Sequence, residues 1–332
     1  MELKNLGNIY SSGNSFTTRA ALLQSWYRVS KNEPCGFATV HRRLKETDSE
    51  GNKLHETYTK EYGHIVRDGE LTNKNFFFDE TFEYAKDRVK NKKPDETIKA
   101  DRLFNNLLSS MPMAFNLFHP LMLLLKKDPI KTTQIVAALF PSFDIQKVEK
   151  IDIEFIPVPI DQYINDKSAM DAMIIFFDKE NKRSLIAIEC KYSDSLGSNL
   201  AKDNKLKYQT AIDLNLFSRQ GLWHIKDQGC TQIYRNFLLT EKYRVKHKMA
   251  GSWSVILAPK GNPTTDSEIQ SIDGMLLPEY RNEKIFKYTL EDFVNTLGNK
   301  VPEDHHAWVK WLYDRYLDFS KIEQFYSELK SK

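Results

Sequence analysis

The sequence predicts an α/β protein built on a mixed β-sheet. Residues 148–158 alternate apolar and polar side chains, which is typical of a strand, and residues 171–191 contain two apolar runs joined by a short charged segment. A third apolar run, 252–258, ends at Pro259, and stretches of helical periodicity precede and separate these strands. From Ile130 the predicted order is helix, three strands, helices and strand, which favours helices packed on a sheet.

The composition is that of an ordinary globular protein. Of 332 residues, 41% are hydrophobic and 28% charged, and the net charge of +3 permits a nucleic-acid partner without requiring one. The cysteines, Cys35, Cys190 and Cys230, form no CxxC pair, which indicates a reducing compartment and argues against a zinc site. The start lacks a signal-peptide pattern, and the longest apolar stretch, 115–125, is too short to span a bilayer. We therefore expect a cytoplasmic protein that does not enter a membrane.

Residues 1–100 are predicted to form an N-terminal extension of helices and irregular structure. Residues 15–31 show an apolar face at helical spacing, and residues 75–90 favour a second helix. The segment 32–75 is polar and interrupted by glycines, so we expect irregular structure there. Residues 86–99 are expected to form a solvated, charged linker.

The rest of the chain is predicted to alternate helices with short strands. The apolar stretch 102–125 favours one or two buried helices broken near Pro112. Residues 101–290 would form the core domain, and 291–332 would form helices that pack on it. Further helices are expected at 130–139, 199–217, 230–243 and from Leu290 onward, and an edge strand is expected at 284–289.

Charged side chains gather at one end of the predicted hairpin in 171–191. Successive side chains of a strand point to opposite faces, so Glu189 and Lys191 share one face and Cys190 points to the other. Folding the hairpin returns Asp171 to the neighbourhood of Glu189. Two carboxylates and an ammonium group therefore converge at one end of a buried sheet.

The register of this hairpin decides whether its two acids share a face. If Asp171 pairs directly with Glu189, the loop between the strands is 178–182. Phe177 then lies opposite Arg183 at the other end of the ladder. Because a slip of one residue would turn Asp171 to the wrong face, we predict this five-residue loop or an equivalent bulge.

Two acids and a lysine on adjacent strands suit phosphodiester hydrolysis. Carboxylates such as Asp171 and Glu189 can hold Mg²⁺, with Mn²⁺ as the alternative ion, which activates water and neutralises charge on the phosphate. The backbone carbonyl of Cys190 can supply a further oxygen ligand. Lys191 would orient the attacking water or stabilise developing negative charge. The alternative is a solvated sheet end with a cross-strand ion pair worth about 0.2–1 kcal/mol.

The same residues carry a resemblance to a known family. Asp171, the apolar strand that follows it and the sequence Ile188-Glu189-Cys190-Lys191-Tyr192 resemble the D…(D/E)xK core of the PD-(D/E)XK nuclease superfamily. The order of elements from 130 to 258 resembles the αβββαβ core of that superfamily. The resemblance therefore implies a restriction-endonuclease-like core with added N- and C-terminal helices. Segments outside the core are similar to a bacterial restriction-endonuclease-like subgroup, namely 109–110, 115–118, 232–239 and 315–317.

The resemblance also implies roles for individual residues. Asp171 and Glu189 would be metal ligands, and Lys191 would be the catalytic lysine. The family often has a further acid on its first helix, but the helices predicted before the first strand carry none. Glu154, on the first strand, is the preferred substitute, and Asp152, which shares its face, is the alternative.

Four polar residues on the helices after the hairpin are candidate DNA contacts. Lys207 and Gln209 lie where related nucleases place accessory residues, although an exposed helical face explains them equally well. Gln232 and Arg235 can meet a phosphate or a base edge. For Arg235, a role in capping or bracing the core is an equal alternative.

Together these features predict a Mg²⁺-dependent endonuclease that hydrolyses DNA, similar to type II restriction enzymes and active in restriction or phage defence. One alternative is a nuclease-fold protein that binds nucleic acid or a partner without cutting. Another is an unrelated α/β enzyme in which the hairpin is structural. Cutting both strands of a duplex would suit a homodimer, but fold analogy alone does not establish activity.

Overall fold

The computed structural model describes residues 1–331 apart from 12, 48–52, 195, 198–199 and 202–203. Within these residues, no helix combines the length and the apolar character needed to cross a membrane. The described residues form seven strands and twelve α-helices, which are, in chain order, α1 (Ser15–Ser30), β1 (Cys35–Thr47), β2 (Lys53–Val66), α2 (Gly69–Thr72), α3 (Asp79–Lys90), α4 (Ser110–Lys127), α5 (Pro129–Leu139), β3 (Lys147–Phe155), β4 (Met170–Phe177), β5 (Arg183–Cys190), α6 (Lys205–Leu214), α7 (Arg219–Asp227), α8 (Gln232–Lys246), β6 (Gly251–Ala258), α9 (Thr264–Met275), β7 (Ile285–Thr289), α10 (Leu290–Lys300), α11 (His306–Tyr316) and α12 (Glu323–Lys330).

One of two compact units contains a long antiparallel hairpin. The helix predicted near its start is confirmed as α1, and β1 and β2 pair antiparallel over most of their length. The irregular structure predicted for 32–75 is wrong, because β-branched and aromatic residues outweigh the glycines there. Gly63 does not break β2; a Cβ at this position would collide with the carbonyl of Leu6. This unit comprises 1–75, 100–108 and 314–332.

The other unit, formed by 76–99 and 109–313, is built on a five-stranded sheet with the order β3-β4-β5-β6-β7. The first three strands pair antiparallel, whereas β5, β6 and β7 pair parallel. Helices α4 and α5 contact β3, and α8 contacts β5 and β6. The predicted mixed sheet and the order helix, three strands, helices, strand are confirmed.

The two faces of this sheet are covered by different helices. Met173 and Ile175 of β4 and Leu185 and Ala187 of β5 belong to the same core cluster as Phe237 of α8. Because side chains alternate along a strand, every odd-numbered residue of β4 and β5 lies on this α8 side of the sheet. The acids of the hairpin therefore face α8.

The structure also differs from the sequence predictions at several element ends. Helix α4 is continuous from Ser110, because Pro112 lies in its first turn, where a backbone N–H has no helical partner in any case. Strand β3 ends before Pro157, which cannot donate to a ladder. The helix expected at 199–217 is the shorter α6, and α7 follows it as a separate helix. The predicted domain limits near 100 and 290 stay a prediction.

Candidate active site

The hairpin between β4 and β5 has the predicted register. Phe177 pairs with Arg183 and Ala172 pairs with Ile188, so the loop is 178–182, as predicted. The Asp178 carboxylate closes this loop by accepting hydrogen bonds from the backbone N–H groups of Glu180 (2.9 Å) and Lys182 (2.8 Å). One further step along the ladder places Asp171 opposite Glu189.

A third acid extends this pair into a row across three strands. In the β3–β4 ladder Ile153 pairs with Ala172 and Phe155 pairs with Met170, so Glu154 lies opposite Asp171. Directly opposite residues share a face and lie within about 4.5–5.5 Å at their Cβ atoms. Glu154, Asp171 and Glu189 therefore follow one another across β3, β4 and β5. Asp152 lies two pairs further along, opposite Met173.

Glu154 has an unusual backbone conformation. Its φ of +50° lies in the left-handed region, which costs a non-glycine residue on the order of 1–3 kcal/mol and is concentrated at functional sites. The guanidinium of Arg88 in α3 stabilises this bend, because it donates to the carbonyl oxygens of Ile153 (2.6 Å) and Glu154 (3.1 Å). Arg88 lies within the predicted solvated linker 86–99, so that prediction is wrong for this residue.

The Glu189 carboxylate is held by three donors. Oε1 accepts from the Lys191 ammonium at 2.7 Å and from the Gln232 amide at 2.8 Å. Oε2 accepts from the Asn236 amide at 2.6 Å. The ammonium of Lys191 also donates to the Gln232 side-chain oxygen at 3.2 Å, and Glu189 and Lys191 are only 5% and 7% exposed. A carboxylate oxygen can accept two hydrogen bonds, so Oε2 retains acceptor capacity.

The pKa of Asp171 lies well above its usual range. Burial is the main cause, and the neighbouring carboxylates of Glu189 and Glu154 raise it further. Lys191 and the backbone N–H of Cys190, which donates to Asp171 Oδ2 at 2.7 Å, act in the opposite direction. Asp171 and Glu189 thus share the ammonium of Lys191, and a bound cation would relieve the repulsion among the neighbouring carboxylates.

Lys191 remains a cation in this setting. Burial disfavours its ammonium form, but the carboxylates of Glu189 and Asp171 outweigh burial, and the pKa of Lys191 is raised. Two further acids, Asp194 and Glu268 of α9, also interact electrostatically with Lys191. Lys191 can therefore donate hydrogen bonds and stabilise negative charge, but it cannot accept a proton near neutral pH.

Sequence reasoning missed Asn236 and did not foresee that Gln232 contacts Glu189. Both amides lie on α8, four residues apart, which places them on the same face of the helix. This spacing was visible in the sequence. Only the packing of α8 against β5 showed that this face meets the acids.

The other candidate DNA contacts are placed differently. Lys207 is 2% exposed and donates to the Ile164 carbonyl (3.2 Å), and its ammonium lies 3.3 Å from Asp166. Arg235 also faces Asp166 (3.5 Å) and donates to the carbonyl of Cys230 (2.9 Å). These contacts favour a bracing role for both cations. On α6, the Gln209 amide donates to Asp213 on the exposed side of the helix.

The residues present fit a hard divalent cation by their chemistry. The carboxylates of Asp171, Glu189 and Glu154 and the Cys190 carbonyl are oxygen donors of the kind Mg²⁺ prefers. The Cys190 thiol is buried, and burial raises its pKa well above the usual range, so its sulfur stays protonated. In the described part of the chain, however, no three His, Cys, Asp or Glu side chains already form a compact metal-binding group.

The family assignment agrees with this geometry. The family model described as the PD-(D/E)XK nuclease superfamily matches residues 11–318. The chain belongs to this superfamily. A member of it is generally a nuclease. Asp171 on β4, Glu189 on β5 and Lys191 directly after β5 resemble the acid, acid-x-lysine pattern of the superfamily. Searches of curated proteins and of solved structures gave no significant match.

Proposed function

We propose that this protein is a Mg²⁺-dependent endonuclease that cuts DNA, in the manner of type II restriction enzymes and in restriction or phage defence. The observation that carries the proposal is the row of Glu154, Asp171 and Glu189 beside the buried ammonium of Lys191. Here the carboxylates of Asp171 and Glu189 share the ammonium of Lys191, and Glu154 raises the pKa of Asp171 further. Such an arrangement suits a divalent ion and a phosphodiester.

In this proposal the residues have separate tasks. Asp171, Glu189 and Glu154, with the Cys190 carbonyl, would hold the ion, which supplies Lewis acidity and lowers the pKa of water. Mn²⁺ has similar ligand preferences and would serve as a substitute. Lys191, which stays charged, would donate to the phosphate oxygens and stabilise the negative charge that develops on them.

The amides of Gln232 and Asn236 would act as positioning residues. Their hydrogen bonds fix both carboxylate oxygens of Glu189, so this side chain is already ordered before the reaction and loses no further rotamer freedom during it. Gln232 also accepts from Lys191 and therefore orients the lysine as well.

Gln209 remains the proposed DNA contact on α6, and cleavage of both strands would suit a homodimer. The described cysteines are all free thiols, in keeping with the cytoplasm as the proposed compartment.

A second candidate function is DNA or partner binding without cleavage. The hydrogen bonds of Glu189 favour it, because both lone pairs of Oε1 are already engaged by Lys191 and Gln232. A binding protein would also retain the fold. The two candidates differ in whether phosphodiester bonds are broken when Mg²⁺ is added.

The test is cleavage of supercoiled plasmid and linear duplex DNA with Mg²⁺, Mn²⁺ or EDTA. We expect cleavage with either metal and none with EDTA. Asp171→Asn and Lys191→Met should each lower the cleavage rate by about 10²–10³-fold, because each removes a charged side chain that is held in position beside the reacting phosphate. The matched controls are Glu180→Gln and Lys182→Met, an exposed acid and base in the loop of the same hairpin.

The controls separate a site effect from a general one. Both loop variants should cleave at the wild-type rate. Cleavage that survives both Asp171→Asn and Lys191→Met would refute the site assignment. Tight DNA binding without cleavage under any metal condition would instead support the binding protein.

A further inference from the structure

A cavity of about 470 Å³ lies beside the row of acids. Glu154 belongs both to that row and to the lining of the cavity, and the strand β3 continues along its wall through Asp152 and Phe155. The backbone bend at Glu154 therefore lies at the boundary between the row of acids and the cavity. If the phosphate of a nucleotide lies at Asp171, its base can reach this cavity, because the lining residue Glu154 is on the neighbouring strand.

Aromatic rings form much of the wall. Tyr163 and Tyr243 are stacked with their ring centres 6.1 Å apart, and Tyr243 is also stacked on His247 at 4.0 Å. The Tyr163 hydroxyl and His247 Nε2 lie within hydrogen-bonding distance, 3.1 Å, which fixes the two rings relative to each other. Tyr84 lines the cavity as well. Flat, rigid aromatic surfaces of this kind stack with unpaired bases.

The charges of the lining balance, which argues against a phosphate as the occupant. Arg88 is engaged by four acceptors, the Tyr84 hydroxyl, the carbonyls of Ile153 and Glu154, and Glu96. Lys150 pairs with Asp152 at 2.8 Å. The charged members of the lining are three cations and three acids, namely Arg88, Lys93, Lys150, Glu96, Asp152 and Glu154. A neutral heterocycle fits this balance better than an anion does.

The Asp152 carboxylate can recognise the edge of such a heterocycle by accepting hydrogen bonds from it. Oδ1 accepts the N–H of Ile153 at 3.0 Å, and Oδ2 accepts from Lys150, so the carboxylate is fixed in position. The pKa values of Tyr84 and Tyr243 are raised, chiefly by burial and in part by Asp152, which is consistent with a position of this acid between the two rings. A fixed carboxylate accepts hydrogen bonds from exocyclic amino groups, which adenine, cytosine and guanine carry and thymine lacks.

From these observations we infer that the cavity receives one unstacked base of the DNA, from the nucleotide next to the scissile phosphate, and that Asp152 selects an amino-bearing base. The base would stack on His247, which is exposed and stacked on Tyr243, while Tyr163 and Tyr243, which are 4% and 8% exposed, support this ring from behind. Glu154 joins the base site to the cleavage site. The inference rests on the proposed nuclease function for the position of the scissile phosphate. Its base-binding part does not require that the DNA be cut.

The first test is photo-cross-linking, which needs no cleavage. The probe is a 20-mer duplex with one 5-iodo-2′-deoxycytidine within a randomised centre, mixed with the Asp171→Asn protein and irradiated. We expect cross-linked peptides that contain His247. His247→Leu should lower the yield at this site about tenfold, which corresponds to the loss of one base–aromatic stack.

The matched control is Tyr313→Leu, because Tyr313 is a half-exposed tyrosine outside the cavity. It should leave the cross-linking yield unchanged. Cross-links confined to other parts of the chain, or a yield that His247→Leu does not lower, would overturn the base site. A binding protein that never cuts would still give the expected cross-link, so this result separates the base site from the nuclease function.

The second test asks which base is selected. The ends produced from a plasmid of known sequence with Mg²⁺ are sequenced, and the base composition beside the cut is compared between wild type and Asp152→Asn. Wild type should disfavour thymine at one neighbouring position. The amide that Asp152→Asn introduces can donate as well as accept, so this discrimination against thymine should fall severalfold.

The control for the second test is Glu149→Gln, an exposed acid on the same strand that pairs with Arg183. It should keep the wild-type end composition. If wild type cuts but Asp152→Asn yields the same ends, selection by Asp152 is refuted while the nuclease function stands. If wild type does not cut, the proposed function fails, and the cross-linking result alone decides on the base site.

Discussion

Two buried glutamates of the larger unit lie in opposite electrostatic surroundings. Glu241, on α8, has two cations for one carboxylate, with Arg244 Nε at 2.7 Å and Lys284 Nζ at 2.9 Å. Glu189, on β5, shares the ammonium of Lys191 with Asp171. Both side chains are almost fully buried.

The ratio of cations to carboxylates distinguishes a structural ion cluster from a functional one. A cluster that only stabilises the fold gains most when buried charges are compensated, as around Glu241. Around Lys191, the carboxylates of Glu189 and Asp171 share one ammonium, and the backbone is strained at Glu154. Strain and surplus charge of this kind persist where binding of a ligand repays their cost.

The largest effect on stability is expected at the compensated cluster. Glu241→Gln leaves Arg244 and Lys284 without their counter-charge, and we expect the free energy of unfolding to fall by about 2–3 kcal/mol, somewhat less than for fully buried partners. Urea unfolding at pH 7 measures this. The matched variant is Glu189→Gln, which should cost less because it removes a carboxylate from an acidic cluster. Equal losses in the two variants would contradict the comparison.

A smaller effect is expected from a buried group that has no counter-charge. His119 of α4 has its pKa lowered to about 4 by burial, with Lys126 as a lesser cause. The folded-state pKa is below the unfolded value of about 6.5, so its stabilising contribution is present above pH 6.5 and is lost as pH falls toward 4. We expect a loss of about 2 kcal/mol over this interval, measured by urea unfolding at several pH values.

The control for this pH effect is His119→Gln. The amide can still hydrogen-bond Thr81, whose hydroxyl lies 3.0 Å from His119 Nδ1, but it does not titrate. The variant should therefore lose less stability between pH 6.5 and 4 than wild type does. The same slope in both proteins would show that the acid sensitivity arises elsewhere.

The smallest change in stability is expected from Mg²⁺ binding at the row of Glu154, Asp171 and Glu189. Mg²⁺ at ten times its dissociation constant should stabilise the wild-type protein by about 1.4 kcal/mol, because the ion binds the folded state. Asp171→Asn should abolish most of this gain, and without Mg²⁺ it should be about 1 kcal/mol more stable than wild type because like charges no longer repel. Thermal unfolding with and without Mg²⁺ measures both.

The matched control is again Glu149→Gln, which removes an exposed acid of the same sheet. It should keep the full gain from Mg²⁺. An equal gain from Mg²⁺ in Asp171→Asn and wild type would show that the ion binds away from the row of acids.

Local sequence determined the hairpin and its register. Asp171 and Glu189 can share a face only if they pair directly or are offset by an even number, because a slip of one residue turns a whole strand over. Direct pairing gives the loop 178–182, which the structure shows. The same alternation put Glu189 and Lys191 on one face. Fold class, the order of elements along the chain and this part of the candidate site could therefore be predicted. Glu154 was the preferred third acid, but Asp152 shares its face, so local sequence alone did not decide between them.

Tertiary structure decided what the other side chains meet. The sequence could not show that α8 turns Gln232 and Asn236 toward Glu189, or that Lys207 and Arg235 face Asp166, because these contacts join residues far apart in the chain. Nor could it show that β1 and β2 pair, since their glycines suggested breaks and only the approach of Leu6 explains Gly63. Side-chain alternation is a local property of a strand, whereas the partner of a polar group depends on how distant elements pack.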